Sequence, residues 1–155
     1  MTDEVKKNFT VRITQANKSE LVVILYEMYL FYLADAEEAG EDQERFREGL
    51  RKARACMDEL IHSLDFRYSP ANDLLRLYIY VIREMAGADS RSSAEPLKIC
   101  RKIITELLSA YREVSRQDTS PPIMENTQTV YAGLTYGKGE LTESLSHQGN
   151  RGFLV

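Results

Sequence analysis

Tryptophan is absent from the 155-residue chain, and cysteine and histidine occur only twice each. These shortages exclude whole classes of chemistry. Cys56 and Cys100 are too few for a disulfide scaffold, and with no export signal both are expected to be reduced. A free cysteine packs as a small hydrophobe, so core packing is expected for both. There is no Cys-x-x-Cys, no His-Glu-x-x-His and no helical Glu-x-x-His pair of the kind di-iron bundles use. His62 falls between Asp58 and Asp65 and reads as part of a solvated helix face, and His147 stands alone near the C-terminus. Gly137-Lys-Gly139 lacks the rest of a phosphate-binding loop. No enzyme, cofactor or metal is expected.

A basic excess is also missing. The formal net charge is −4, whereas a nucleic-acid footprint calls for a clustered basic patch. The longest apolar stretch, Leu21 to Ala34, is 14 residues and contains Glu27. A membrane-spanning helix needs about 20 apolar residues. The polar Asn17-Lys-Ser-Glu20 precedes that stretch, where a secretory signal would carry its basic region. A cytoplasmic protein without direct membrane insertion is expected.

Helical pattern fills the rest. Asn17, followed three positions later by Glu20, caps a first helix that starts near residue 18 and stops at Gly40. A second helix, over about 42–65, carries Phe46, Leu50, Ala53, Met57, Leu60, Ile61 and Leu64 in one stripe of threes and fours. Pro70 breaks the pattern, Asn72 is the expected cap of a third helix, and that helix runs to Met85 with Gly87 as its stop. Ser92 and Glu95 repeat the capping spacing ahead of a fourth helix, which reaches Gln117. Short connections favour antiparallel neighbours. The expected fold is therefore all-α, an up-down-up-down four-helix bundle over 17–117, with an irregular segment at 1–16 and a flexible or docked tail at 118–155.

The first and third helices are apolar over more than one stripe. On a helical wheel, Leu21, Ile24, Leu25, Met28 and Tyr32 form the expected bundle seam, and Val23, Tyr26, Leu30, Leu33 and Ala34 form a second face. That second face needs cover from the terminal segments or from a partner. The chain has nine tyrosines, and Tyr26, Tyr29, Tyr32, Tyr78 and Tyr80 sit on these two wide helices. Tyrosine has an apolar body and a polar tip, which suits a surface that is alternately wet and covered.

These residues resemble a known family. Thr14, Ala16, Glu20, Leu21, Leu25 and Tyr26 are similar to the opening motif of the flagellar secretion chaperone FliS. Leu74, Leu77, Tyr78, Tyr80 and Arg83 are similar to its Leu-x-x-Leu-Tyr-x-Tyr segment, and Tyr111 stands where the family closes on a tryptophan. Lys18-Ser19 replaces the usual Pro-Gly, and Glu27-Met28 the usual Asp/Asn-Gly. The likeness covers about residues 11–117, and VYAGLTYGKG is similar to C-terminal extensions in the family.

The resemblance implies a cytosolic chaperone that binds the disordered, leucine-rich C-terminal segment of flagellin and delivers it to the export-gate membrane protein. The expected client-binding residues are Leu21, Tyr26, Tyr29, Leu30, Leu75, Tyr78 and Ile82. A monomer or weak homodimer is expected. The rival reading is a self-associating helical bundle, structural or adaptor in role, with no flagellin client. Residues 127–146, rich in Val130, Tyr131, Leu134, Tyr136, Leu141 and Leu145, are expected to lie on the empty bundle and compete with the client.

Overall fold

In the computed structural model, which describes residues 1–124, the chain forms five helices: α1 (Asp3–Gln15), α2 (Lys18–Glu37), α3 (Gln43–His62), α4 (Pro70–Arg91) and α5 (Leu97–Gln117). The expectations for 127–146, Gly137-Lys-Gly139 and His147 lie outside the described residues.

The segment expected to be irregular is a helix. The Thr2 hydroxyl accepts a hydrogen bond from the Val5 N–H, and Asp3 and Glu4 occupy the first turn, where negative charge meets the positive end of the helix dipole. Val5, Phe9 and Ile13 then recur every four residues and pack on the core. A single short stripe with one aromatic was too weak a signal without knowledge of the surface it meets.

Helix α2 begins where the Asn17 cap places it, with Asn17 Oδ1 accepting from the Glu20 N–H at 2.9 Å. Gly40, at φ +59°, closes the turn beyond it, a conformation that costs glycine least. Asp42 caps α3 by accepting from the Arg45 N–H at 3.1 Å. Two boundaries differ from expectation. Helix α4 starts at Pro70, not Asn72, because proline suits the first turn, where its missing N–H has no helical partner. It then runs through Gly87 to Arg91, since Met85 and Ala88 both face the core and hold the last turns in place. Ser92, at φ +48°, ends it, and the Ser93 N–H returns to the Ala88 carbonyl at 3.0 Å. The Ser92–Glu95 capping pair does not form; the Ser93 hydroxyl accepts from the Glu95 N–H instead.

Helices α2, α3, α4 and α5 pack in a ring, each on its two neighbours, with α2 and α4 on a diagonal and α1 laid on α2. Glu27 pairs with Arg112 and Glu37 with Arg101, so partner numbers fall along α5 as they rise along α2. Those two helices are antiparallel.

The buried side of α2 falls between the two expected faces: Leu21, Ile24 and Leu25 of one and Val23, Tyr26 and Leu33 of the other are all buried. The deepest line is Val22, Tyr26, Tyr29, Leu33 and Ala36, whereas Met28 and Tyr32 of the expected seam are only half-buried. The other side is covered by α1. Arg12 of α1 reaches Glu27 at 2.6 Å, and Val23 and Ile24, beside that glutamate, are buried. Glu27 interrupts the apolar run because it receives arginines from α1 and α5. Of the face for which the sequence left terminal segments or a partner as cover, the bundle itself buries Tyr26 and Leu33, and the N-terminal helix lies against the flank at Val23 and Glu27.

Past α5 the chain folds back. Asn17 Nδ2 donates to the carbonyls of Asp118 (3.2 Å) and Ser120 (3.4 Å), and the Ser19 hydroxyl donates to Asp118 Oδ2 at 2.6 Å. The Ile123 N–H bonds to the Ala16 carbonyl at 3.0 Å. Residues 118–123 are thus stitched to the α1–α2 hinge.

Candidate functional site

Tyrosines occupy the centre of the bundle. Tyr26 and Tyr78 come from the diagonal helices α2 and α4, and their hydroxyls meet at 2.5 Å in a fully buried hydrogen bond. Tyr111 of α5 packs edge-on against Tyr26, ring centroids 5.7 Å apart. The Tyr29 hydroxyl is also buried, faces the Cys100 thiol, and has no well-formed hydrogen bond among the described residues. Cys100 Sγ instead lies 3.6 Å from the Val81 carbonyl.

The outer surface is organised by α4 and α5. Leu77, Tyr80 and Val114 are 37, 44 and 48 % exposed. Two contacts orient α5: Arg101 and Arg112 turn toward α2, and Cys100 turns toward α4. At 100° per residue, the α4 side of α5 then carries Ile99, Ile103, Leu107, Ala110 and Val114, spaced by threes and fours. Ile99, Ile103 and Leu107 are half-buried, and Ala110 and Val114 are exposed. On α4 the facing flank bears Leu77 and Tyr80. Together the two flanks set a candidate apolar groove along α4 and α5, partly covered at Ile99, Ile103 and Leu107. On the other flank of α4 lie Leu75, Ile79 and Ile82, of which Ile79 is exposed and the other two half-buried.

A family model described as Flagellar protein FliS matches residues 1–118, which spans all five helices. The chain belongs to the FliS family. Neither the curated proteins nor the solved structures contain a significant match to it. FliS proteins are flagellar chaperones, and that role comes with membership.

The positions that carry the FliS likeness at Tyr26, Tyr78 and Tyr111 are those that meet in the central aromatic cluster. Burial divides the seven residues expected to bind a client. Leu21, Tyr26, Tyr29 and Tyr78 are buried among core residues and offer no surface in this state. Leu30, Leu75 and Ile82 are half-exposed, with Leu30 on α2 across the diagonal from the other two. The structure does not bring the seven together as one face. The α5 line was missed because its apolar residues look like one core stripe. The available signal was the adjacent pairs Ile103–Ile104 and Leu107–Leu108, which widen the apolar arc beyond what one core can bury.

Among the described residues, no three His, Cys, Asp or Glu side chains gather as a metal site requires, and no helix is long and apolar enough to cross a membrane. His62 lies exposed on the last turn of α3.

Burial sets the behaviour of this FliS-family core at high pH. Burial drives Tyr26 and Tyr29 far above the usual tyrosine range, aided by neighbouring Tyr78 and Cys100 respectively, and raises Tyr78 to about 12. Burial also lifts Cys56 to about 12 and Cys100 to about 11. In the unfolded chain these groups lose protons near their ordinary values, ~8.5 for Cys and ~10 for Tyr. The unfolded state therefore binds fewer protons than the folded one across that interval, and stability falls as pH rises through it. The urea midpoint should be flat between about pH 7 and 8 and fall markedly by about pH 11, given those reference values. An equal midpoint at both extremes would overturn the assignment of these tyrosines and thiols to a sealed core.

Proposed function

We propose that this FliS-family chaperone acts in the cytoplasm, binds the C-terminal segment of flagellin in a one-to-one complex, and keeps it from polymerising until it reaches the flagellar export gate. The observation that carries the reading is the continuous apolar line Ile99, Ile103, Leu107, Ala110 and Val114 beside Leu77 and Tyr80. From Ile99 to Val114 it runs ~22 Å at ~1.5 Å per residue, room for four turns of a docked helix. An amphipathic helix in an apolar groove is read through anchors at i, i+3, i+4 and i+7, the same spacing that α5 presents. Leu75 and Ile82, on the other flank of α4, and Leu30, on α2, lie outside this line. Tyr26, Tyr29, Tyr78 and Leu21 support the surface from within.

Calorimetry with a flagellin C-terminal peptide tests this. Coupled folding on the groove should give one-to-one binding with a negative heat-capacity change. Tyr80→Asp and Val114→Asp place a charge on exposed positions, so each should weaken binding at least about tenfold while helix content and melting stay as in the parent. No heat and no complex by gel filtration would sink the flagellin reading. Parent-like binding by both variants would move the site off this groove.

A further inference from the structure

Exposed apolar side chains collect on one stretch of the chain. Of the six exposed large hydrophobic residues among the described residues, Phe66, Tyr68, Leu77, Ile79 and Tyr80 fall within fifteen positions. Phe66 and Tyr68 lie on the connection between α3 and α4, and the other three on α4 itself. Unpaired positive charge collects there too. Among the described residues, every arginine outside α4 pairs with a carboxylate, whereas Arg76, Arg83 and Arg91 pair with none. Arg91 sits in the last turn, where a cation meets the negative end of the helix dipole. Arg76 and Arg83 lie inside the helix and lack that reason.

Arg76 and Arg83 are seven positions apart, so they share one side of α4. At about 100° per residue, the buried Leu74, Tyr78, Val81 and Met85 lie opposite them, which puts the two arginines on the outward crest. The positions three and four away from Arg83 hold Ile79, Tyr80, Ala86 and Gly87, so α4 offers it no acid at pairing distance. The crest therefore joins cations without partners to apolar side chains without cover. Such a surface fits a segment that carries oily residues together with carboxylates.

We propose that residues 130–145 of this same chain dock along the α3–α4 connection and the crest of α4. The described chain ends where such a path begins. The Ile123 N–H is bound to the Ala16 carbonyl, and Lys18, two residues on, reaches Asp65 at 4.0 Å, directly before Phe66. Seventeen positions separate Ile123 from Glu140, a reach of up to ~56 Å at ~3.3 Å per residue. Helix α4 is shorter than that, ~33 Å at ~1.5 Å per residue. The order of the chemistry matches as well. Val130, Tyr131, Leu134 and Tyr136 come first and meet Phe66 and Tyr68. Leu141 and Leu145 follow and cover Leu77 and Tyr80, while Glu140 and Glu143 bring their carboxylates to Arg76 and Arg83. Tethering gives the segment an effective concentration around millimolar, so individually weak contacts hold it in place. The docked segment and a helix in the α4–α5 groove both need Leu77 and Tyr80, so each excludes the other.

This inference does not rest on flagellin binding, and its test uses the full chain alone. A nitroxide spin label carried at Ser144→Cys leaves the buried Cys56 and Cys100 unlabelled. In the nuclear magnetic resonance spectrum it should broaden the amides of residues 76–84 and spare the outward side of α3 at Arg51 and Arg54. Arg76→Glu/Arg83→Glu turns attraction into repulsion and should lower the docked-to-free ratio about tenfold, which removes most of that broadening. Adding Glu140→Arg/Glu143→Arg to that variant restores opposite charges and should bring the broadening back. Circular dichroism of each variant confirms that the bundle is intact, as expected for exposed arginines. Spin-labelled chains without isotope, mixed with unlabelled chains carrying nitrogen-15, should give no broadening, since the contact is made within one chain. Equal broadening of α3 and α4 in the parent overturns the proposal, as does broadening that appears in the mixture. So does parent-like broadening in Arg76→Glu/Arg83→Glu, or a folded fourfold variant that fails to recover it.

Discussion

Replacing Tyr26 with Asp is expected to unfold the bundle, not to silence a binding surface on an otherwise intact protein. Tyr26 is wholly buried, its ring packs against Tyr78 and Tyr111, and its hydroxyl bonds to that of Tyr78. Removing the ring costs about 3–5 kcal/mol in lost packing. Burying a carboxyl without a matched partner adds ~2 kcal/mol or more. Together these approach or exceed the whole stability of a typical domain, ~5–15 kcal/mol. Far-UV circular dichroism and thermal melting read the result, and a parent-like melt would show that Tyr26 is not the core residue described here. Two gentler changes separate the ring from the hydroxyl. Tyr26→Phe strands the buried Tyr78 hydroxyl and should cost about 1–3 kcal/mol in urea unfolding. Tyr29→Phe removes a hydroxyl that has no well-formed hydrogen bond and should be neutral or slightly stabilising.

Gly49→Leu should come next in effect. At Gly49, α3 passes so close to α2 that an added Cβ would stand 2.9 Å from the Ala36 nitrogen, 3.0 Å from the Tyr32 carbonyl oxygen and 3.0 Å from the Ala36 Cβ. Two of those three atoms are backbone and cannot turn aside. Overpacking typically costs about 1–3 kcal/mol, and a leucine at this contact belongs at the upper end or beyond. Gly49→Ala sets two effects against each other. Helix propensity favours alanine by about 0.8–1 kcal/mol. The contact with α2 backbone outweighs it, so Gly49→Ala should still lower the melting temperature. A higher melting temperature for Gly49→Ala would show that α2 yields at this contact more easily than the geometry implies.

The expected binding residues divide along a physical line. Leu75 and Ile82 are half-exposed on α4, and Leu30 is half-exposed on α2, as a surplus of apolar surface requires. Tyr26 and Tyr78 carry the motifs that resemble the family, yet they sit in the core, as does Tyr29. A tyrosine on a wide apolar helix has two ways to satisfy its hydroxyl, water or a buried partner. For Tyr26 the partner is Tyr78, on a helix 52 positions away and diagonal in the bundle. No local pattern in α2 reports that meeting.

By itself the sequence determined what depends on near neighbours along the chain. The all-helical class, the Asn17 start of α2, the stop at Gly40 and the single stripe of α3 follow from caps, spacing and glycine conformation. Each of these acts over a turn or two of backbone. Tertiary structure decided everything that depends on which surfaces meet. It turned the Tyr26–Tyr29–Leu33 side of α2 inward and laid α1 over the opposite side, because two apolar faces on one helix are equivalent until their neighbours arrive. It carried α4 through Gly87, because contacts at Met85 and Ala88 outweigh one glycine. It left the outer line of α5 only partly covered, because a ring of four helices buries one arc of each and Leu97, Cys100, Ile104 and Leu108 already fill that arc.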